Sequence, residues 1–243
     1  MRLNASDWTG TWENFELWID SDDPELAAAW REVEQAVSSM PPQVGAMFGD
    51  DPRAFWRMAC ATTTPESPVR LGGWRISEAN GAAGIAAGGN GADGASAAKG
   101  GNAGANASGN GAGGRDAGGG HAPALEIEWL ADGGSVLGRG RYVLGRVIEH
   151  GLEGKPNLLL KGTGTELPDA YGWLLVMEPM PEREARESGG LLAHTHFQFA
   201  SSIDGLLTPE GQLVNPRWYA TMVDAARDNA ERIHVIRALH HLG

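Results

Sequence analysis

The chain has 243 residues, a formal net charge of −12 at pH 7 and a sequence pI near 5.0. Nucleic acids and anionic membranes bind clusters of Lys and Arg, so this acidic balance argues against both as partners. The single cysteine, Cys60, excludes an internal disulfide and a cysteine-based zinc site. The length is sufficient for one domain with a substantial core.

The N-terminal region is predicted to be helical. Three large aromatic residues, Trp8, Trp12 and Phe15, follow the i, i+4, i+7 spacing and predict a helix over residues 7–18. A proline preceded by acids predicts a second helix from about residue 22 to residue 40, and a third begins at Asp51-Pro52. The N-terminus has no apolar segment typical of a secretory signal, and no apolar window is long enough to cross a membrane. We therefore expect a cytoplasmic protein.

From about residue 69 the apolar residues recur at every second position, which predicts β-strands. Turn residues such as Asp132-Gly133-Gly134 separate the predicted strands. This spacing predicts an antiparallel meander that closes into a barrel or folds as a sandwich. The segment from Pro216 to Leu242 predicts a C-terminal helix. The predicted strands are 69–71, 74–77, 125–130, 140–148, 158–161, 171–177 and 192–199.

A segment at about 81–120 consists almost entirely of Gly, Ala, Asn and Ser. It connects two predicted strands, 74–79 and 125–130, that we expect to pair as a hairpin. The segment has too few large apolar groups to offset the entropy lost on ordering, so we predict a disordered insert in the hairpin turn. A phosphate-binding loop would require a strand before the glycines and a helix after them, and neither is predicted here.

His194 and His196 are the candidate metal ligands. Residues i and i+2 of a strand point to the same face about 7 Å apart, which allows two imidazoles to converge on one ion. Two polar residues on a wet face are the alternative explanation. A tetrahedral zinc site needs a further ligand, and Glu178 on the neighbouring predicted strand is the candidate for it. Further candidates lie in the acidic loop that follows: Glu182, Glu184 and Glu187.

The C-terminal histidines are weaker candidates for metal ligands, and the sequence gives little support for catalysis. His240-His241 is either a metal-capturing tail or an ordinary helix end, where polar and cationic groups are favoured. The sequence contains no nucleophile elbow and no H-E-x-x-H helix. A metal-dependent hydrolase would need an open coordination position and a general base, so we predict a binding protein without enzymatic activity.

Several segments, in the same order along the chain, resemble the ZinT (YodA) family of metal-binding proteins. The resemblance implies a mainly β, calycin-like antiparallel barrel, with a helical N-terminal region and a C-terminal helix, formed by one domain over residues 1–243. It also implies that His194 and His196 bind zinc, or another divalent transition metal, in zinc homeostasis, storage or delivery. The segments are Asp7-Trp8-Thr9-Gly10-Thr11-Trp12, Asp23-Pro24, Ala193-His194-Thr195-His196-Phe197 and Leu239-His240-His241.

The chain also departs from the family pattern. Glu178-Pro179 stands where the family has its third metal-binding histidine, and the family's disulfide cysteines and secretory signal are absent. A carboxylate is an acceptable zinc ligand but changes affinity and selectivity. A partner in zinc handling is therefore unknown, and handover to a periplasmic receptor is not expected. The alternative function is a lipocalin-like binder of a small organic ligand with a degenerate metal site, which predicts an apolar cavity near His194.

Overall fold

The computed structural model describes residues 2–39, 51–79, 123–182, 186, 190–240 and 242. Eight antiparallel strands form a closed barrel, in which each strand pairs with the next along the chain and the last pairs with the first. This arrangement confirms the predicted calycin-like, mainly β fold. The strands are β1 (Gly10–Asn14), β2 (Leu71–Glu78), β3 (Ala124–Ala131), β4 (Val136–Ile148), β5 (Asn157–Thr163), β6 (Trp173–Val176), β7 (His194–Ala200) and β8 (Ala220–Asp224).

Helices flank the barrel, and the side chains of aspartates fix where three of them begin, at Asp23, Asp51 and Asp228. The carboxylate of Asp23 accepts from the backbone N–H groups of Glu25 and Leu26, and that of Asp51 accepts from Ala54. These bonds satisfy N–H groups that have no partner within the helix. The helices are α1 (Glu16–Ile19), α2 (Pro24–Ser38), α3 (Pro52–Cys60) and α4 (Asn229–Leu239).

Two predicted helices are wrong over part of their length. Residues 10–14 of the predicted helix 7–18 form β1, which pairs with β2 and β8. Residues 220–224 of the predicted C-terminal helix form β8, and all five are buried. Because β8 is buried on both faces, it lacks the alternation of apolar and polar residues by which strands are recognised. The pairings that form β1 and β8 also join parts of the chain that are distant in sequence.

The Gly-rich segment connects two strands that pair with each other, as predicted. In the antiparallel pair of β2 and β3, Glu78 lies opposite Leu125, and the N–H of Ala79 donates to Ala124 O over 3.0 Å. Residues 80–122 themselves lie outside the described part of the chain. The disorder expected for residues 81–120 therefore stays a prediction.

Large aromatic side chains fill the barrel interior. The indole N–H of Trp129 donates to the hydroxyl of Tyr142 over 2.9 Å, and this hydroxyl donates to Tyr171 O over 2.6 Å. The Trp129 and Tyr171 rings stack with their centroids 4.2 Å apart. The barrel core therefore combines apolar burial with an internally satisfied polar network. Other buried aromatic residues of this core are Trp8, Trp12, Trp74, Phe197 and Phe199.

Two smaller apolar clusters cover the outside of the barrel around β7. One contains the helix residues Trp30 and Val33 together with Val223 of β8. The other contains Leu152 together with Leu175 and Met177. All seven residues of β7 are buried in consequence. In the described ranges, no helix is long and apolar enough to cross a membrane.

Candidate metal centre

His194 and His196 lie on the outer face of β7. Successive side chains of a strand point to opposite faces, and Phe197 packs inside the barrel with its ring centroid 4.5 Å from that of Trp74. The two histidines share the other face, as predicted, and their ring centroids are 5.5 Å apart. Relative exposures of 8% and 5% show that this face is covered, so the explanation by a wet surface is wrong.

His196 has a contact at each ring nitrogen. Nδ1 lies 2.8 Å from the hydroxyl of Thr221, which is the residue directly opposite His196 on β8. Nε2 lies 3.3 Å from Oε1 of Glu153. The Tyr219 ring covers the imidazole edge-on, with the centroids 5.8 Å apart. Thr221 on the neighbouring strand and Glu153 on a turn distant in sequence therefore hold His196 between them.

Glu153 belongs to the short turn Leu152–Gly154 that precedes β5. Its second carboxylate oxygen accepts from Lys155 Nζ over 2.8 Å. When Nε2 of His196 carries a proton, its contact, which is the largest cause, and the contact with Lys155 lower the pKa of this carboxyl to about 2. The backbone φ of Glu153 is +54°, a left-handed conformation that no other described non-glycine residue adopts. This conformation costs about 1–2 kcal/mol for a residue with a Cβ, and such strain is found preferentially at functional sites.

His194 is the second imidazole of the pair. Its Nδ1 is buried and makes no well-aligned hydrogen bond within the described residues, and a backbone hydrogen bond with Leu192 has only a small, opposing effect on the pKa of the imidazole. Burial disfavours the imidazolium form, and together with the nearby His196 it lowers the pKa of His194 to about 4. The imidazole is therefore neutral near pH 7, the form in which a histidine binds a metal ion.

Glu178, the predicted third ligand, lies in an irregular segment between β6 and β7. The N–H of Met177 donates to His196 O, and Met180 exchanges two backbone hydrogen bonds with His194. Two residues, Glu178 and Pro179, therefore occupy the space that one residue would fill in a regular ladder, which is a β-bulge.

The side chain of Glu178 is exposed. It lines a surface pocket of about 860 Å³ together with Asp7, Lys155 and Glu182. Among the described residues, the carboxylate in contact with His196 is that of Glu153. Two weaker candidates, Glu184 and Glu187, lie outside the described residues.

The distance between the donor atoms of His196 and Glu153 tests whether the two side chains suit a metal ion. Two ligand atoms bound at about 2.0–2.1 Å to a tetrahedral zinc ion lie about 3.3–3.4 Å apart. The 3.3 Å between His196 Nε2 and Glu153 Oε1 matches this separation. It is longer than the ~2.7–2.9 Å of a charge-assisted N–H···O bond. Within the described ranges, no group of three or more His, Cys, Asp or Glu side chains is already arranged to hold a metal ion. The structure thus presents a pair of suitably spaced donors with His194 beside them.

His240 is part of the packing beneath the helices. It is fully buried and edge-on to the ring of Trp30, with the centroids 5.4 Å apart. Its Nε2 lies 2.7 Å from the indole Nε1 of Trp56, and its Nδ1 lies 2.6 Å from Ile236 O. Both nitrogens are used in these contacts, so His240 forms a buried helix end. His241 lies outside the described residues.

Comparisons with protein-family models, with curated proteins and with solved structures find no match. Membership of the ZinT family, inferred from short segments, therefore stays a proposal. The barrel and the contacts at His196 do not depend on it.

The sequence did not predict the roles of Glu153 and Thr221. Glu153 lies in a run of turn residues, Glu153-Gly154-Lys155-Pro156, that was predicted only as a separator between strands. Thr221 lies in β8, within the segment predicted as a helix. An acidic residue just before Gly in a turn is a weak signal by itself, because turns are usually exposed and polar.

Proposed function

We propose that this protein binds a divalent transition-metal ion, with zinc the preferred ion, and acts in zinc storage or delivery. The ligands are Nε2 of His196, Oε1 of Glu153 and the imidazole of His194. The observation that carries the proposal is the 3.3 Å separation of His196 Nε2 and Glu153 Oε1, two donors of the kind zinc takes, with the buried imidazole of His194 beside them.

The donor set favours a transition metal over calcium or magnesium. Two imidazoles and one carboxylate suit zinc, whereas calcium takes six to eight oxygen ligands and magnesium an octahedral oxygen shell. Lys155 contacts Oε2 of Glu153, and Oε1 is the carboxylate oxygen that faces His196. A carboxylate held in this way suits monodentate coordination of a small ion.

The buried Nδ1 of His194 supports a place for His194 in the site. A buried polar atom without a partner costs about 1–3 kcal/mol. Among the described residues, no three donor side chains are arranged to bind one ion. Binding therefore requires the His194 ring to reorient towards His196 and Glu153. A bound ion would supply a partner for this nitrogen.

Zinc titration by calorimetry tests the proposal. The parent is compared with His196→Gln and Glu153→Gln, each of which removes one proposed donor with little change in size. His234→Gln is the matched histidine control, because His234 is exposed on α4. Glu178→Gln is the matched carboxylate control. We expect one site in the parent, weakened at least about 10-fold in the first two variants and unchanged in the controls.

The controls also separate the two candidate carboxylates. If Glu178→Gln weakens zinc binding and Glu153→Gln does not, the third ligand is the one predicted from the sequence. Absence of a zinc site in the parent, or equal affinity in the parent and His196→Gln, would refute the proposal.

The alternative function, binding of a small organic ligand in an apolar cavity near His194, stays a prediction. The described barrel interior does not supply a cavity for such a ligand. Trp74, Trp129 and Phe197 fill the barrel core and are fully buried. An organic ligand would need an apolar cavity at their position.

A further inference from the structure

A short chain of hydrogen bonds lies behind His196, on the side away from Glu153. The hydroxyl of Thr221 donates to Tyr219 O over 2.7 Å. A hydroxyl has a single proton, so at its 2.8 Å contact with His196 Nδ1 the Thr221 oxygen acts as the acceptor. The proton of the neutral His196 imidazole is then on Nδ1.

We propose that Thr221 is a positioning residue that fixes the tautomer of His196 and makes Nε2 its ligating nitrogen. A neutral imidazole has one N–H and one lone pair, so a proton held on Nδ1 leaves the lone pair on Nε2, facing Oε1 of Glu153. A hydrogen bond to the second nitrogen of a metal-binding histidine orients the ring and raises its basicity. This inference deepens the proposed function, and its metal-binding part rests on that function.

The surroundings hold Thr221 in place. It is fully buried, directly opposite His196 in the pair of β7 and β8. The N–H of Tyr219 donates to Ala59 O at the end of α3 over 2.6 Å, which joins the start of β8 to that helix. The thiol of Cys60 lies 3.6 Å from the Thr221 hydroxyl. The acceptor for Nδ1 is therefore part of the rigid barrel wall.

Removal of the hydroxyl has a specific consequence. Without an acceptor, a proton on Nδ1 would be buried and unpaired, which is unfavourable. The imidazole avoids this cost by carrying its proton on Nε2 and donating it to Glu153. The lone pair of Nε2 is then no longer available to a metal ion.

The test uses three variants of the full chain. Thr221→Val keeps the size and removes the hydroxyl, Thr221→Ser restores a hydroxyl, and Cys60→Ala removes another buried neighbour of Thr221. Long-range ¹H–¹⁵N NMR on metal-free protein at about pH 9, above the range in which histidines ordinarily titrate, identifies the protonated nitrogen. His196→Gln assigns the signals. We expect the proton on Nδ1 in the parent, Thr221→Ser and Cys60→Ala, and on Nε2 in Thr221→Val.

Zinc affinity is the second measurement. We expect Thr221→Val to bind about 10–100-fold more weakly than the parent, and Thr221→Ser to recover most of the loss. A parent with its proton on Nε2, or a Thr221→Val variant with the parent's tautomer, would overturn the inference. If the parent binds no zinc, the proposed function fails, while the NMR result still decides whether Thr221 sets the tautomer.

Discussion

The indole N–H of Trp56 donates to Nε2 of His240, over 2.7 Å, beneath the helices that cover the barrel. The chain thus uses buried histidines in two ways. At His240 both nitrogens contact groups of the protein. Nδ1 of His194, by contrast, makes no well-aligned hydrogen bond in the described part of the chain, and Nε2 of His196 faces the carboxylate of Glu153. Burial alone would not have distinguished the structural histidine from the candidate ligands.

We expect His240→Ala to lower the free energy of unfolding by about 2–4 kcal/mol, because it leaves a cavity and an unpaired indole N–H. Urea unfolding measures this loss. His234→Ala, at an exposed position of the same helix, serves as the control and should change stability by less than about 0.5 kcal/mol. An unchanged stability in His240→Ala, accompanied by loss of zinc binding, would instead make His240 part of a metal site.

The left-handed backbone of Glu153 predicts an unusual order of stabilities. Glu153→Gly and Glu153→Ala both remove the carboxylate, but only glycine adopts a φ of +54° without strain. We expect Glu153→Gly to be more stable than Glu153→Ala by about 1 kcal/mol. Chemical denaturation of both variants measures the difference, and both should lose zinc affinity. Equal stabilities would mean that the turn changes conformation when the side chain is removed.

Burial of Cys60 predicts a pH dependence of stability. Desolvation raises the pKa of this thiol to about 12, from an ordinary value of 9.0. A raised pKa means that the folded chain favours the neutral thiol, so its contribution to stability is complete below about pH 9 and is lost between pH 9 and pH 12.

Two measurements check the state of Cys60. A thiol reagent at about pH 8 should react with the folded protein far more slowly than with the unfolded chain, because the thiolate is the nucleophile. Cys60→Ala should show a smaller loss of stability than the parent above pH 9. Rapid labelling of the folded parent would show that the thiol is accessible.

Two neighbouring tryptophans in the barrel core allow a matched comparison. Their ring centroids lie 5.3 Å apart and both are fully buried. The indole N–H of Trp129 donates to Tyr142, whereas that of Trp74 has no partner among the described residues. We expect Trp129→Phe to destabilise the protein by about 1 kcal/mol more than Trp74→Phe does. Thermal or urea unfolding measures both, and the reverse order would indicate a partner for the Trp74 N–H in solution.

Replacement of residues 80–123 by Asn-Gly, which joins the paired residues Ala79 and Ala124 through a two-residue turn, tests how far the barrel depends on the Gly-rich segment. The paired ends of β2 and β3 lie at hairpin distance, and Asn-Gly favours a two-residue hairpin turn. Loop-closure entropy varies slowly with length, so we expect unfolding free energy to stay equal or rise by about 1–3 kcal/mol. Circular dichroism and urea unfolding of the shortened chain provide the measurement. A shortened chain that fails to fold would show that the segment takes part in the barrel.

Most of the barrel could be predicted because the evidence for its strands is local. Leu125 to Leu130 alternate between the core and a more exposed face, so the period of two is visible in the sequence itself. Trp12 illustrates the opposite case. Its spacing from Trp8 and Phe15 matches a helix by coincidence, whereas its strand conformation arises from pairing with β2 and β8.

Only the two histidines of the candidate site could be predicted from the sequence, because only they are related by a local pattern. His194 and His196 are neighbours on one strand, so their shared face follows from strand geometry. Glu153 reaches His196 only because the turn before β5 folds over the outside of the barrel, next to β7. No local pattern encodes a contact of this kind.

Closure of the sheet has a consequence for how other macromolecules can recognise this protein. In this closed barrel every described strand has a neighbour on both sides, so the described sheet offers no open edge for an incoming strand to pair with. Recognition by strand addition would require the barrel to open. A protein that delivers or receives the proposed ion would instead have to contact side chains and turns, and the turn that carries Glu153 contacts His196.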